Sequence, residues 1–178
     1  MSAEAFVKPT YKGHERWNVP AFSFLIEHDS GKRILFDLGI RKDVENMAPS
    51  IVQAFKSRGW EVGARKNTAD ILEESGFDIQ GGDIDSVIYS HHHFDHVGDM
   101  TTFPPSTQLV IGPGFKEANL PAYPVNKESS ALQSDYEGRD VRQVDIAHEG
   151  AGLKIGRFNA YDYFGDGSFY LLDTPGHT

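Results

Sequence analysis

Apolar residues fall in short runs separated by turn formers, and the runs change character along the chain. Residues 20–28 (PAFSFLIEH) and 33–38 (RILFDL) are apolar at nearly every position and flank His28-Asp29-Ser30-Gly31-Lys32. That pattern predicts a hairpin in a sheet covered on both faces, because a half-solvated strand would alternate. Pro49, the stripe Ile51, Val52, Ala54 and Phe55, and Gly59 after it predict a helix. Asn67 or Thr68 as N-cap, Ile71 and Leu72 inside, and Gly76 beyond predict a shorter one. Residues 86–90 (SVIYS) read as a strand that runs directly into His91-His92-His93-Phe94-Asp95-His96. A strand at 107–111 (TQLVI) follows, then a long loop over 112–136 rich in Gly, Pro, Asn and Ser, then strands near 140–145, 153–163 and 168–173. Strands with helices between them favour a layered α/β arrangement over a helical bundle or a β-barrel.

Composition narrows the function classes. The 178 residues include 39% hydrophobic positions, ordinary for one folded domain, with no linker that would divide residues 1–178 into two. Seventeen Lys and Arg against 26 Asp and Glu leave a net charge of −9, which argues against nucleic acid as a partner. No apolar run approaches the roughly 18 residues that cross a bilayer, so no membrane partner is expected. The start, Met1-Ser-Ala-Glu-Ala5, has neither the basic nor the apolar region of a secretion signal, and the expected location is cytoplasmic. The absence of cysteine removes disulfides, thiolate ligands and cysteine nucleophiles together. Any metal must therefore be held by histidine and carboxylate.

Four candidate ligands lie within six residues: His91, His93, Asp95 and His96. In extended backbone the side chains of His91 and His93 project to the same side, as a pair on one ion requires. Asp95 and His96 follow where the chain should turn toward Gly98, which lets them address a second ion. Imidazole and carboxylate without thiolate suit Zn²⁺, with Fe or Mn less favoured. The plainer alternative is an exposed histidine-rich turn or a purification-tag remnant, but a tag would sit at a terminus rather than behind a strand. His92 faces away from its neighbours and suits a packing role.

The tract His91-x-His93-x-Asp95-His96 resembles the HxHxDH signature of the metallo-β-lactamase-fold hydrolases. Three other segments agree: the strand 34–39 (ILFDLG) with its acid Asp37, the strand 86–90 before the motif, and Asp173-Thr-Pro-Gly-His177-Thr178, which resembles the family's DTPGHT segment. The resemblance implies a four-layer αββα sandwich with a two-ion site at its edge. It makes His177, 84 residues beyond His93, the third imidazole on the first ion. The runs 91–99 (HHHFDHVGD), 112–115 (GPGF) and 120–124 (LPAYP) look most like the branch of N-acyl homoserine lactone lactonases and related lactone or lactam hydrolases. Thioester hydrolases of the glyoxalase II type are the alternative. Family members continue beyond the GHT segment with a strand, a bridging Asp and a further His, whereas this chain ends at Thr178. The expectation is therefore a single incomplete domain covering the first half of the sandwich and the start of the second. Its expected partners are a small-molecule substrate and a complementing C-terminal fragment.

The implied chemistry is hydrolysis. Zinc lowers the pKa of bound water from 15.7 to about 7, and a zinc-bound hydroxide would open a small lactone or lactam. His91, His93 and His177 would bind the first ion and Asp95 and His96 the second. By the same resemblance, Asp95 would also orient the hydroxide by accepting its proton. Asp37 would either support a metal-bound imidazole or serve the turn before Gly39, and Asp99 would cap a turn or support a ligand. Residues 12–22 (KGHERWNVPAF) resemble the loop beside the metal mouth, with Trp17 and Phe22 as apolar walls. Phe115, Tyr123 and Tyr136 would either line a pocket or pack. Isolated His14, His28 and His148 read as exposed, and Glu73, Glu74, Asp83 and Asp85 as solvated. Against the hydrolase stand a non-catalytic metal-binding module, a di-iron redox centre and a nuclease, the last disfavoured by the charge.

Overall fold

Successive residues of the central strands face two different cores. The computed structural model describes residues 2–177; Met1, and Thr178 at the end of the DTPGHT segment, lie outside them. Five strands form one sheet in the order β1 (Phe24–Glu27), β2 (Arg33–Phe36), β3 (Ser86–Ile88), β4 (Gln108–Ile111) and β5 (Val141–Gln143). β1 and β2 are the antiparallel hairpin, and every later neighbour is parallel. A smaller antiparallel sheet follows, β6 (Lys154–Ile155), β7 (Phe158–Asp162) and β8 (Tyr170–Leu172).

Leu35, Val87 and Leu109 lie in one register row and join a core with Ala69 and Leu72. Ile34, Ile88 and Val110 turn the other way and join Leu171 of the second sheet. The near-continuous apolar runs are thus explained: helical segments cover one face of the large sheet, and the small sheet with the short helix at Ile146–Glu149 covers the other. The helices are α1 (Pro49–Arg58), α2 (Thr68–Glu74), α3 (Phe94–Val97), α4 (Phe115–Asn119) and α5 (Ile146–Glu149). α1 begins with Pro49 at its first turn and ends at Gly59, whose φ of 60° suits a left-handed cap. Asn67 caps α2 in a reciprocal box with Asp70.

Three expectations change. The strand predicted over 153–163 is two strands, because Gly156 at φ 59° reverses the chain between β6 and β7. The 112–136 stretch is not a free loop, since it forms α4 and buries Phe115, Ala122 and Tyr136 in the helix-side core. Its small and polar residues had masked these spaced apolar anchors. A short helix, α5, follows the strand expected near 140–145 and is capped by Asp145, which accepts from the His148 N–H at 3.0 Å. Asp83 and Asp85 are not merely solvated: Asp85 accepts from the Arg33 N–H at 2.9 Å and Asp83 from the Arg33 guanidinium at 3.1 Å, which ties β3 to the hairpin.

Parallel strands deliver their carboxyl ends to one edge, where α/β sheets place ligands. Asp37 follows β2 there, Ser90 to His96 follow β3, and the segment leading to His177 follows β8 in the second sheet.

Candidate metal centre

The histidine turn is held from below before it can hold anything. Asp37, 5% exposed and at φ 61°, leaves β2 and turns its carboxylate toward the end of β3. It accepts from the Ser90 N–H at 2.7 Å and from the Ser90 hydroxyl at 2.8 Å. The Leu38 N–H donates to the His96 carbonyl at 2.7 Å, and the Gly98 N–H to the Gly39 carbonyl at 3.0 Å. Gly98 is required there: its φ is 52°, and a Cβ would lie 2.4 Å from that of Leu38.

On this base His91, His93 and His177 meet. His91 Nε2 lies 3.1 Å from His93 Nδ1, which lies 3.1 Å from His177 Nε2. The three ligand nitrogens all fall within 4.8 Å of one another. A tetrahedral Zn²⁺ with bonds of about 2.0–2.1 Å separates its ligands by about 3.3 Å, so this spacing fits one ion. Burial, reinforced by His96, His93 and His177, lowers the His91 pKa to about 4. Burial also lowers His93 and His92. The lowering at His91 and His93 favours the neutral imidazole, whose lone pair is what a cation needs.

Asp95 and His96 sit beside this group without joining it. The His96 ring lies 4.1 Å from that of His91, and its Nε2 is 3.6 Å from an Asp95 carboxylate oxygen. His96 Nδ1 lies 2.7 Å from Asp37, and that hydrogen bond raises its pKa. With the Nδ1 proton fixed on Asp37, the Nε2 lone pair is left outward. Asp37 therefore supports an imidazole and also shapes the turn. Asp99 is accounted for as well, accepting from Arg41 at 3.1 Å and capping the turn after it through Thr101. His92 packs, with its ring 6.4 Å from that of Phe115.

An apolar cleft of about 630 Å³ opens beside His93, Asp95 and His177. Trp17 lines it as the sequence suggested, whereas Phe22 points elsewhere and is 64% exposed. Its other rings were not foreseen. Phe6 stacks on Trp17 at 6.1 Å and on Trp60 at 6.0 Å, Trp60 reaches Phe94 at 6.3 Å, and Phe94 packs edge-on to Phe55 at 4.7 Å. Phe94 carried a signal, as an aromatic residue set inside the ligand tract. Phe6 and Trp60 come together only in the folded chain. His28 also departs from expectation: it is half-buried, stacked on Phe164 and bonded to Asp166 at 2.7 Å. His14 and His148 are exposed.

Crossover-connected strands with a histidine group at their carboxyl edge define a layered α/β domain built to hold a ligand there. Residues 16–178 match the model of the Metallo-beta-lactamase superfamily, and the chain belongs to that superfamily. It is 45% identical over 99% of its length to "Gamma-lactamase FDB1" of Fusarium pseudograminearum, covering 43% of that protein. It is likewise 45% identical over 99% of its length to "Metallo-hydrolase mfmC" of Annulohypoxylon moriforme, covering 46%. Identity to "N-acyl homoserine lactonase AttM" of Agrobacterium fabrum is 24% over 90% of this chain and 57% of that one. The chain spans less than half the length of the first two. A solved structure from work described as "Indirect contributions of mutations underlie optimization of new enzyme function" shares the fold, with a TM-score of 0.53, 21% identity, and 72% of this chain and 48% of that one covered. No helix among the described residues is long and apolar enough to cross a membrane.

Proposed function

We propose that this chain is the metal-binding half of a hydrolase that opens a small lactam or lactone. One observation carries the reading: imidazoles 84 residues apart in sequence bring nitrogens to 3.1 Å, a spacing suited to one ion. His91, His93 and His177 would hold the first ion and Asp95 and His96 the second, with Zn²⁺ the best match to the donor set. When bound, such an ion polarises a carbonyl and brings the pKa of coordinated water to about 7.

The chain's own residues do the rest. The Asp95 carboxylate accepts the proton of the attacking water and orients it toward the scissile carbonyl. Asp37 keeps the His96 tautomer fixed, and the aromatic cleft takes the apolar part of the substrate and excludes bulk water. The names of the relatives, a γ-lactamase, a metallo-hydrolase and a lactonase, support a cyclic amide or ester over a thioester. A complementing C-terminal segment would complete the second ion site, as the partial coverage of those relatives suggests. The reading is tested on the full-length protein with a panel of γ-lactams, γ-lactones and thioesters. Ring opening lost on chelation and in Asp95→Asn supports it; undiminished turnover in the chelated, metal-free protein overturns it.

A further inference from the structure

Behind the histidine turn lies a polar interior that the proposed chemistry does not use. Among the described residues, four buried side-chain atoms have no hydrogen-bond partner: Arg41 Nη1, Tyr89 Oη, Asp135 Oδ1 and Arg139 Nε. A buried polar atom without a partner carries the desolvation cost of its lost bond to water, so such atoms in native proteins are as a rule bonded to protein or ordered water. These four share a neighbourhood. Arg41 donates to Asp99 at 3.1 Å, and Asp99 caps the turn whose Met100 and Phe103 carbonyls accept from Arg139 at 2.9 and 3.2 Å. Asp135 interacts electrostatically with Asp99, Arg41 and Arg139, and Tyr89 with Asp135 and Arg139. A small space of about 20 Å³ is lined by Arg41 and Asp135, two of these four residues, together with His92, Phe94, Val97 and Gly98 of the histidine turn.

The donor inventory decides what fills it. Of the two orphaned groups that line it, Arg41 Nη1 can only donate and Asp135 Oδ1 accepts when ionised. The Arg41 guanidinium disfavours a metal ion, and the Asp135 carboxylate disfavours an anion. A single water accepts twice and donates twice, and a space above about 10–15 Å³ with two to four polar partners is what one water needs. We propose that this space is a built hydration site, in which one ordered water bridges Arg41 Nη1 to Asp135 Oδ1 beneath the histidine turn. The site does not depend on Asp135 being charged, because the same water accepts from the carboxylic acid when the group is protonated. It is also independent of the hydrolase reading, since none of the four residues is a proposed ligand.

The test is a high-resolution crystal structure of the full-length protein, with a second crystal soaked in bromide. Density for one water within hydrogen-bond distance of Arg41 Nη1 and Asp135 Oδ1, with no anomalous bromide signal there, is the expected result. A direct Arg41–Asp135 contact with no density between them, or an anomalous peak in the space, overturns the proposal. Asp135→Asn keeps an acceptor in place and should retain the water. Loss of the water from that variant, folded and with the substituted side chain unshifted, also counts against the proposal.

Discussion

Asp37→Asn separates the support of the metal centre from the fold more cleanly than deleting a ligand does. At φ 61° most residues would be strained, but asparagine tolerates the left-handed region, so the backbone should stay put. The amide oxygen still accepts from the Ser90 N–H now bonded at 2.7 Å. The amide nitrogen then replaces the oxygen that lies 2.7 Å from His96 Nδ1. An N–H facing an N–H is repulsive, so His96 moves its proton to Nε2 and loses the lone pair it would offer an ion. Loss of such a carboxylate support costs 10–100-fold in metal affinity, or about 1.4–2.7 kcal/mol. Fold stability should fall by only about 1–2 kcal/mol, because one charge-assisted bond is lost and the others are reshaped. Competition with a chromophoric chelator reads the affinity, and denaturant unfolding of the apo protein reads the stability. Wild-type affinity and metal content in Asp37→Asn would refute the assignment of His96 as a ligand oriented by Asp37.

Other outcomes follow from the same geometry. His177→Ala should lower zinc affinity at the first site by at least about tenfold and ring opening by about a hundredfold or more, read by metal analysis and by kcat/KM. Trp60→Ala removes one wall of the aromatic cleft and should raise KM severalfold for substrates with a large apolar substituent, while leaving kcat for an unsubstituted ring nearly unchanged. The Asp135 carboxyl is pushed up to about 7, by burial first and then by Asp99, from an ordinary 3.8. Its protonated form therefore contributes stability that is full below about pH 4 and is lost as pH rises toward 7, on the order of 4 kcal/mol across that window. Thermal melts of Asp135→Asn should lack this part of the pH dependence, and an unchanged profile would contradict it.

The layered α/β frame was legible because burial writes itself into the strands. Ile34, Leu35 and Phe36 could be apolar in succession only between two covered faces, and the two cores show which residue serves which face. The ligand tract was legible because local spacing does most of its work: His91 and His93 are two apart in sequence and stay close in space. His177 needed the family motif, since no local rule connects it across 84 residues. The features that stayed hidden depend on distant chain segments meeting. Phe6 and Trp60, which meet in the cleft formed with Trp17, come from separate parts of the chain, and each alone reads as an ordinary surface or core aromatic. Arg41 and Asp135 likewise carry no local sign of burial until the fold brings Arg41 to Asp99 and encloses Asp135. Gly156 was readable as a turn only after β6 and β7 were seen to pair.

The most direct measurement is anomalous diffraction from crystals of the zinc-loaded full-length protein, collected on both sides of the zinc absorption edge. A zinc peak about 2.0–2.1 Å from His91 Nε2, His93 Nδ1 and His177 Nε2 is the predicted result. A zinc-loaded protein with no peak among those three nitrogens, or with its zinc bound elsewhere, would contradict it.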